Sequence, residues 1–329
     1  MNKQLYPFLF EPNFHMMVWG GNKLRPYKGF EPTEEPIGES WEVSAVPTSV
    51  NIISNGAWAG KDLISVIESA PDEILGGNVN AKYNGKLPLL VKFIDANKDL
   101  SIQVHPNDEM AMREHGKPGK SEMWYVLKAE KGAHLYAGFK QEITSSEYQK
   151  RVEEGTIVDV LADHPVKAGD AFFLPAGRIH AICGGLMLVE VQQTSDITYR
   201  IFDYNRPGLD GKPRELHTEL AAKALDYHAD DSCRIKYSNV ANEAVQIIDS
   251  PSFTVCVLEI TKRLQRNMTQ YDSFIIVTCV EGDCKIHVTS TGDEVILKEG
   301  NSTLIPAAVA YYEISPLRGC VRVLESFVK

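Results

Sequence analysis

From Leu87 onward the chain is written mostly in short apolar runs with a two-residue beat. "SIQVH" and "AHLYAGF" alternate, while "LPLLVKFI", "EMWYVL", "AFFLPA" and "LVEVQQ" are nearly continuous. Turn signals such as "AGD", "PAG" and "CGG" separate them, the punctuation expected between strands. Helical periodicity is confined to three stretches: "KDLISVIESAPDEILGG" (61–77), "TSSEYQKRVEEG" (144–155) and "ELHTELAAKALDYH" (215–228). In the second, Thr144 is placed as an N-cap, Glu147 as its capping-box partner and Gly155 as the stop. Many short strands with Gly/Pro turns predict a mainly β chain of barrel or sandwich class.

The same pattern occurs twice. "EMWYVLKAEKG" aligns with "DSFIIVTCVEG", placing Glu122 over Asp272 and Gly132 over Gly282. "KAGDAFFLPAGRIH" aligns with "KEGNSTLIPAAVAY", placing Pro175 over Pro306 and His180 over Tyr311. A repeated block with unequal loops predicts two copies of one β-domain. The expected division is residues 1–232 and 233–329, with the polar stretch "DYHADDSCRIKYSNVANEA" as the linker. The first copy carries His105, Glu122 and His180. The second has no histidine at matching places, its only one being His287.

Composition narrows the function. A formal charge of −10 argues against nucleic acid and against an anionic membrane surface. No run reaches the ~18 apolar residues of a membrane span, and Pro7 and Pro12 spoil the N-terminal stretch as a signal peptide. Six cysteines without paired metal or disulfide spacing imply reduced thiols and a cytoplasmic setting. Cys279 and Cys284 read as core residues. No phosphate-binding glycine loop or dinucleotide fingerprint appears, so no nucleotide is expected.

The chemistry gathers in "IQVHPNDEMAMREHGKPGKSEMWYVL", read as two strands joined by a charged loop. Gln103 and His105, two apart, face the same side of a strand. Glu122 opens the next strand, and His180 follows the tight turn "LPAG". Imidazole and carboxylate converging from separate strands suit a metal such as zinc. Lys92 lies inside an otherwise apolar run and needs a partner there, either an anionic substrate or a carboxylate such as Asp95. Gly20–Gly21, Trp41 and Glu42 fit either a pocket rim or closure of the barrel.

"WGGNKL", "GESWEVSA", "SIQVHP", "GKSEMWYVL", "FLPAGRIHAI" and "LVEVQQTSDITYRIFDYNR", in that order, resemble the signature segments of type I mannose-6-phosphate isomerases of the cupin superfamily. The resemblance implies two cupin-type jelly-roll domains, the first catalytic and the second without metal. It implies interconversion of mannose 6-phosphate and fructose 6-phosphate through an enediol, with one zinc per chain. By the matching positions, the zinc ligands are Gln103, His105, Glu122 and His180. Arg200, Glu190 and Lys120 fall on catalytic positions, with Glu190 and Lys120 both open as general base beside a zinc-bound water. Lys92 and Ser101 fall on phosphate-binding positions. The short interval between Glu122 and His180 resembles the compact bacterial members, whose pocket wall differs in part, which leaves substrate tolerance open; protein partners and oligomeric state are not read from the sequence.

Two other readings stand beside this one. A cupin enzyme acting on another sugar, or an iron oxygenase, uses the same ligand set. A non-catalytic sugar-binding bicupin predicts loss of ligands from both copies, whereas the first copy retains them.

Overall fold

A computed structural model describes residues 4–229 and 232–329. The expected linker therefore includes two residues, Asp230 and Asp231, outside the described set. The protein is built from antiparallel sheets stacked in pairs. In the first pair, a seven-stranded sheet runs in the order Arg234–Ile235, Ala171–Leu174, Glu122–Ala129, Leu186–Gln193, Leu89–Ala96, Asn13–Gly21, Ile37–Val43. It is paired with a five-stranded sheet: Leu161–Pro165, His134–Phe139, His180–Ile182, Ile102–Val104, Tyr199–Phe202.

The second pair repeats this plan. Ser302–Ile305, Ile275–Glu281, Val321–Phe327 and Thr254–Ile260 follow the same order as Ala171–Leu174, Glu122–Ala129, Leu186–Gln193 and Leu89–Ala96. The smaller sheet, Glu294–Leu297, Cys284–Val288, Tyr311–Pro316, Leu264–Asn267, likewise matches four strands of the five-stranded sheet. The duplication read from sequence is thus a duplication of topology, and each copy is a double-sheet jelly roll rather than a barrel closed by hydrogen bonds. The strand Phe8–Leu9 pairs with Ser302–Ile305 and forms the edge of the second copy's larger sheet.

Alternation decides what each strand buries. Leu89, Val91 and Phe93 pack into a core shared with Ile247, Phe253 and Val255 of the second copy. Their neighbours Ile94 and Ala96 face the opposite way, with Trp124, Val126 and Leu188, into the first sandwich. Every residue of Leu89–Ala96 is buried, because both faces are covered. The period-two pattern therefore survives only in chemistry: apolar toward the shared core, mixed toward the sandwich interior.

Several local expectations need correction. The stretch 61–77 is not one helix. It forms Leu63–Ser69 and Pro71–Leu75, followed by Gly77–Tyr83. Pro71 has no N–H and forces Ala70 out of helical geometry (φ −157°, ψ 63°). The predicted loop after Pro106 contains a helix, Asp108–His115, capped by Asn107 Oδ1 on the Met110 N–H (2.9 Å) and closed by Gly116 at φ +64°. Thr144 caps Ser145–Glu153 as expected (3.1 Å), but Glu147 turns to Arg151 one turn on (3.5 Å) rather than completing the box. The third helix spans only Thr218–Ala224. Two strands before Leu87, Asn13–Gly21 and Ile37–Val43, were not expected from the pattern. "IGESWEV" hides as a strand because its buried residues include Glu39, Ser40 and Glu42.

Polar ties fasten the two copies. Lys28 Nζ meets both oxygens of Glu42 (2.9 and 2.8 Å) and also donates to the Gly300 carbonyl, all buried. Asp272, at the repeat position of Glu122, accepts from the Gly77 and Asn78 N–H groups at the start of the helix Gly77–Tyr83 (3.2 and 2.9 Å). Gly76 has no side chain because a Cβ there would collide with the Asp272 carbonyl. No described helix is long and apolar enough to cross a membrane. All six cysteines are free thiols, and Cys279 and Cys284 are buried as expected.

The Lys28–Glu42 tie gives a stability prediction. Lys28→Met strands a buried carboxylate and is expected to cost about 3–5 kcal/mol in urea unfolding. The double variant Lys28→Met/Glu42→Leu should recover most of that loss. Equal losses in both variants would reject a role for the charge pair.

Candidate active site

Two rows of side chains meet inside the first sandwich. Across the larger sheet, Trp41 pairs with Lys92, Lys92 with Glu190 and Glu190 with Trp124 in register. Glu122 lies two residues before Trp124 and shares its face. Across the smaller sheet, Gln103 is flanked in register by His180 on one side and Arg200 on the other. His105 follows just past the strand end, where its carbonyl accepts from the Gly177 N–H (2.8 Å). Gly177 takes φ +89° in the turn that delivers His180, a conformation that favours glycine.

His105, Glu122 and His180 are all buried, and their candidate donor atoms lie within 4.8 Å of one another. His105 Nδ1 faces the Ile197 carbonyl and His180 Nδ1 the Arg178 carbonyl, each at 2.8 Å. A carbonyl only accepts, so each Nδ1 carries a proton, and in a neutral ring Nε2 then keeps the lone pair. Those lone pairs point at a carboxylate: His105 Nε2 to Glu122 Oε2 is 3.4 Å and His180 Nε2 to Glu122 Oε1 is 3.2 Å. Neither Glu122 oxygen has a directed hydrogen bond, although Lys120 Nζ lies 2.7 Å from Oε2.

Buried lone pairs turned toward one another are unfavourable unless a cation sits among them. The Lys120 ammonium answers one side of the set, 3.2 Å from His105 Nε2 and 2.7 Å from Glu122 Oε2, while the approach of His180 Nε2 to Glu122 Oε1 has no cation beside it. The spacing suits one, since ligands ~2.0–2.1 Å from a tetrahedral ion stand about 3.3 Å apart. Gln103 fits as a further ligand. Its amide is 3.3 Å from His180 Nε2, and exchanging its N and O would present the oxygen. Ser101 Oγ lies 3.3 Å from the other end of the amide; with the groups exchanged it would accept from the amide nitrogen and hold the oxygen toward the cluster. Among the described residues this is the one group of three or more such donors so arranged.

The electrostatics agree. Burial, then the Lys120 charge, pushes the His105 imidazole down to about 3 against the opposing pull of Glu122, so the ring is neutral. Burial alone would raise Glu122, but nearby positive charge, Lys120 first, outweighs it and holds the carboxyl well below its usual range. Lys120 is pushed down by burial but more strongly up by Glu122 and Glu190.

Beside this cluster is a cavity of about 220 Å³, lined by Trp41, Ser101, Gln103, Lys120, Glu190, Arg200 and others. A chain of alternating charges crosses its wall. Glu39 Oε2 is 3.5 Å from Lys92 Nζ, which is 3.4 Å from Glu190 Oε1. Glu190 Oε1 is 3.9 Å from Lys120 Nζ, which reaches Glu122. Trp41 Nε1 donates to Glu39 (2.6 Å) and Trp124 Nε1 to Glu190 Oε2 (3.0 Å).

The structure thus places Gln103, His105, Glu122, His180, Lys120, Glu190, Arg200, Lys92 and Ser101 around one space. The expected alternative partner of Lys92, Asp95, does not reach it. Asp95 accepts instead from the Lys23 backbone N–H (2.8 Å), while Lys92 lies between Glu39 and Glu190. Glu42 turns away to Lys28, whereas Trp41 lines the cavity with Lys92 over its ring (4.9 Å). Sequence reasoning missed Glu39 and Arg214. Glu39 belongs to the quoted segment "GESWEVSA", and its position two before Trp41 puts both on one strand face. Arg214 lies in an irregular loop where no spacing rule applies.

Comparison with known proteins gives the same picture. The catalytic domain of type I phosphomannose isomerase matches residues 8–150, and the mannose-6-phosphate isomerase cupin domain matches 244–325. Mannose-6-phosphate isomerase of Streptococcus mutans is 32% identical over 308 residues, covering 93% of this chain and 94% of that protein. Mannose-6-phosphate isomerase ManA of Bacillus subtilis is 30% identical over 319 residues, covering 96% and 98%. A crystal structure of mannose 6-phosphate isomerase from Bacillus subtilis superposes with a TM-score of 0.87 at 30% identity, covering 97% of this chain and 99% of that one. With both halves matched and full-length relatives at this identity, the chain belongs to the type I phosphomannose isomerase family.

Proposed function

We propose that this isomerase interconverts mannose 6-phosphate and fructose 6-phosphate with a zinc ion held by His105, Glu122, His180 and Gln103. The observation that carries the reading is the convergence of His105, Glu122 and His180, all buried and with candidate donor atoms within 4.8 Å of one another, at the edge of a charged cavity. Two imidazoles, a carboxylate and an amide oxygen suit zinc by donor type. Bound there, the ion supplies Lewis-acid polarisation of a sugar carbonyl or hydroxyl oxygen.

Aldose–ketose isomerisation moves a proton between C1 and C2 through an enediol. Glu190 is the better placed of the two base candidates. Lys120 Nζ is locked against Glu122 at 2.7 Å. Glu190 is anchored through Oε2 by Trp124, while Oε1 has its ammonium neighbours at 3.4 and 3.9 Å, leaving room to accept a proton. The two lysines temper the charge of Glu190 as the proton arrives and leaves. Arg200, opposite Gln103, can stabilise oxygen charge developing on the enediolate. Lys92 and Ser101 remain the residues that the family resemblance assigns to the phosphate, though Lys92 already faces two carboxylates. An iron oxygenase would have no use for the alternating charge chain.

Three outcomes are expected. Chelation should abolish mannose 6-phosphate turnover and zinc should restore it, read by coupled assay and elemental analysis. Full activity of zinc-free protein would sink the metal assignment. His180→Ala should purify with little zinc while Glu190→Gln keeps its zinc. Glu190→Gln should lose about 10²–10⁴-fold in kcat with little change in KM. It should also stop deuterium incorporation at C1 or C2 of the sugar in D2O. Retained exchange would transfer the base role away from Glu190.

A further inference from the structure

We propose that Arg214, fixed in the cavity wall by Asp203, is the residue that selects the phosphorylated sugar. The inference rests on the phosphosugar reading above and adds a determinant that sequence spacing did not reveal.

Charge is distributed unevenly over the two sides of the cavity. On the larger sheet, Lys92 and Lys120 are interleaved with Glu39, Glu190 and Glu122, so neither ammonium is available without competition from a carboxylate. On the opposite side Arg200 and Arg214 line the cavity with Asp196, whose carboxylate is already paired with Lys117 (2.8 and 3.0 Å), and Arg206 and Asp203 stand behind Arg214. Asp203 is buried and accepts from Arg214 Nε (2.7 Å) and Nη2 (2.6 Å), and from Arg206 Nε (3.0 Å) and Nη2 (2.8 Å). Arg206 spends its remaining nitrogen on the Asp99 carbonyl. Arg214 keeps Nη1 without a partner among the described residues, and its side chain lines the cavity.

Arg200 adds a second positive charge beside Arg214. Its Nη1 donates to the carbonyl of Glu215, the residue after Arg214 (2.8 Å), while its Nε is buried with no partner. Burial, then the Arg214 charge, lowers the pKa of Arg200, as expected of two guanidinium groups held close together. An anion on the Arg214 side relieves that repulsion and gives Arg214 Nη1 an acceptor, leaving Arg200 to the reacting end of the sugar. Phosphate suits guanidinium donors better than a neutral hydroxymethyl group does. Asp203 orients Arg214 and is thereby a positioning residue.

The test compares initial rates of the zinc-loaded enzyme on mannose 6-phosphate and on mannose, with inorganic phosphate as competitive inhibitor. Wild-type turnover of mannose 6-phosphate comes first, and its absence overturns the underlying phosphosugar reading whatever Arg214 does. Arg214→Gln is expected to raise KM for mannose 6-phosphate by about 10–100-fold, the size of a lost charged hydrogen-bond pair. The ratio of kcat/KM for the two sugars should fall by a similar factor, and inhibition by phosphate should weaken with it. Arg214→Lys should recover part of the loss, which guards against a folding defect, and Asp203→Asn should move KM in the same direction by less. Equal losses on both sugars, or unchanged phosphate inhibition, would overturn the proposal. Selective loss in Lys92→Met with none in Arg214→Gln would place the phosphate on Lys92 instead.

Discussion

A carboxylate with no access to water governs the architecture of the first sandwich. Glu122 is fully buried at the start of a central strand, and every charge near it is arranged in answer. Lys120 comes from two residues upstream, His105 and His180 from the facing sheet, and Glu190 and Lys92 continue the alternation across neighbouring strands. Such a chain holds only if strand register is fixed, because a slip of one residue would turn each charged side chain into the apolar core behind it. That core, with Met123, Val91 and Val189 on the reverse faces, locks the register. Packing on one side of the sheet is therefore a precondition for chemistry on the other.

What could be read in the sequence follows from this. The strands after Leu87 were legible because their apolar content is high enough to survive interruption by a Lys or a Glu. The candidate metal ligands were legible because histidine and glutamate beside turns stand out, and because the second copy lacks them. Ile37–Val43 was not legible as a strand, since polar residues on a cavity wall resemble those on a solvated one. Lys92, buried in an apolar run, needs an anion, but which carboxylate answers it depends on strand order, which pairs Leu89–Ala96 with both Ile37–Val43 and Leu186–Gln193. Arg214 had no signal at all. Its place is set by Asp203 across an irregular loop, and loops obey no short period.

The two copies show one plan filled in two ways. Where the first encloses a polar cavity, the second packs Cys279, Ile286, Leu297 and Ile314 into a closed core. Its buried charge is a completed pair, with Arg266 against Glu325 (2.6 Å) and Tyr312 donating to the same carboxylate (2.7 Å). A charge whose partners are all supplied by the chain contributes order and leaves nothing to bind. Asp272, at the position of Glu122, has become a cap for a helix lying against the other copy.

The edge strand Phe8–Leu9 bears on how the molecule is made. It is made long before its partner, since Phe8 pairs with Leu304. Leu9 finds partners in the first copy, its N–H donating to Asn55 Oδ1 (2.9 Å) and its carbonyl accepting from the Ser54 N–H (2.8 Å), while the side that faces Ser302–Ile305 stays open. The larger sheet of the second copy cannot acquire this edge until Ser302–Ile305 has been made, and closing so long a loop makes this a late, slow step. A nascent chain paused before Ser302 would hold the complete set of proposed zinc ligands while one end of the molecule stayed unfastened.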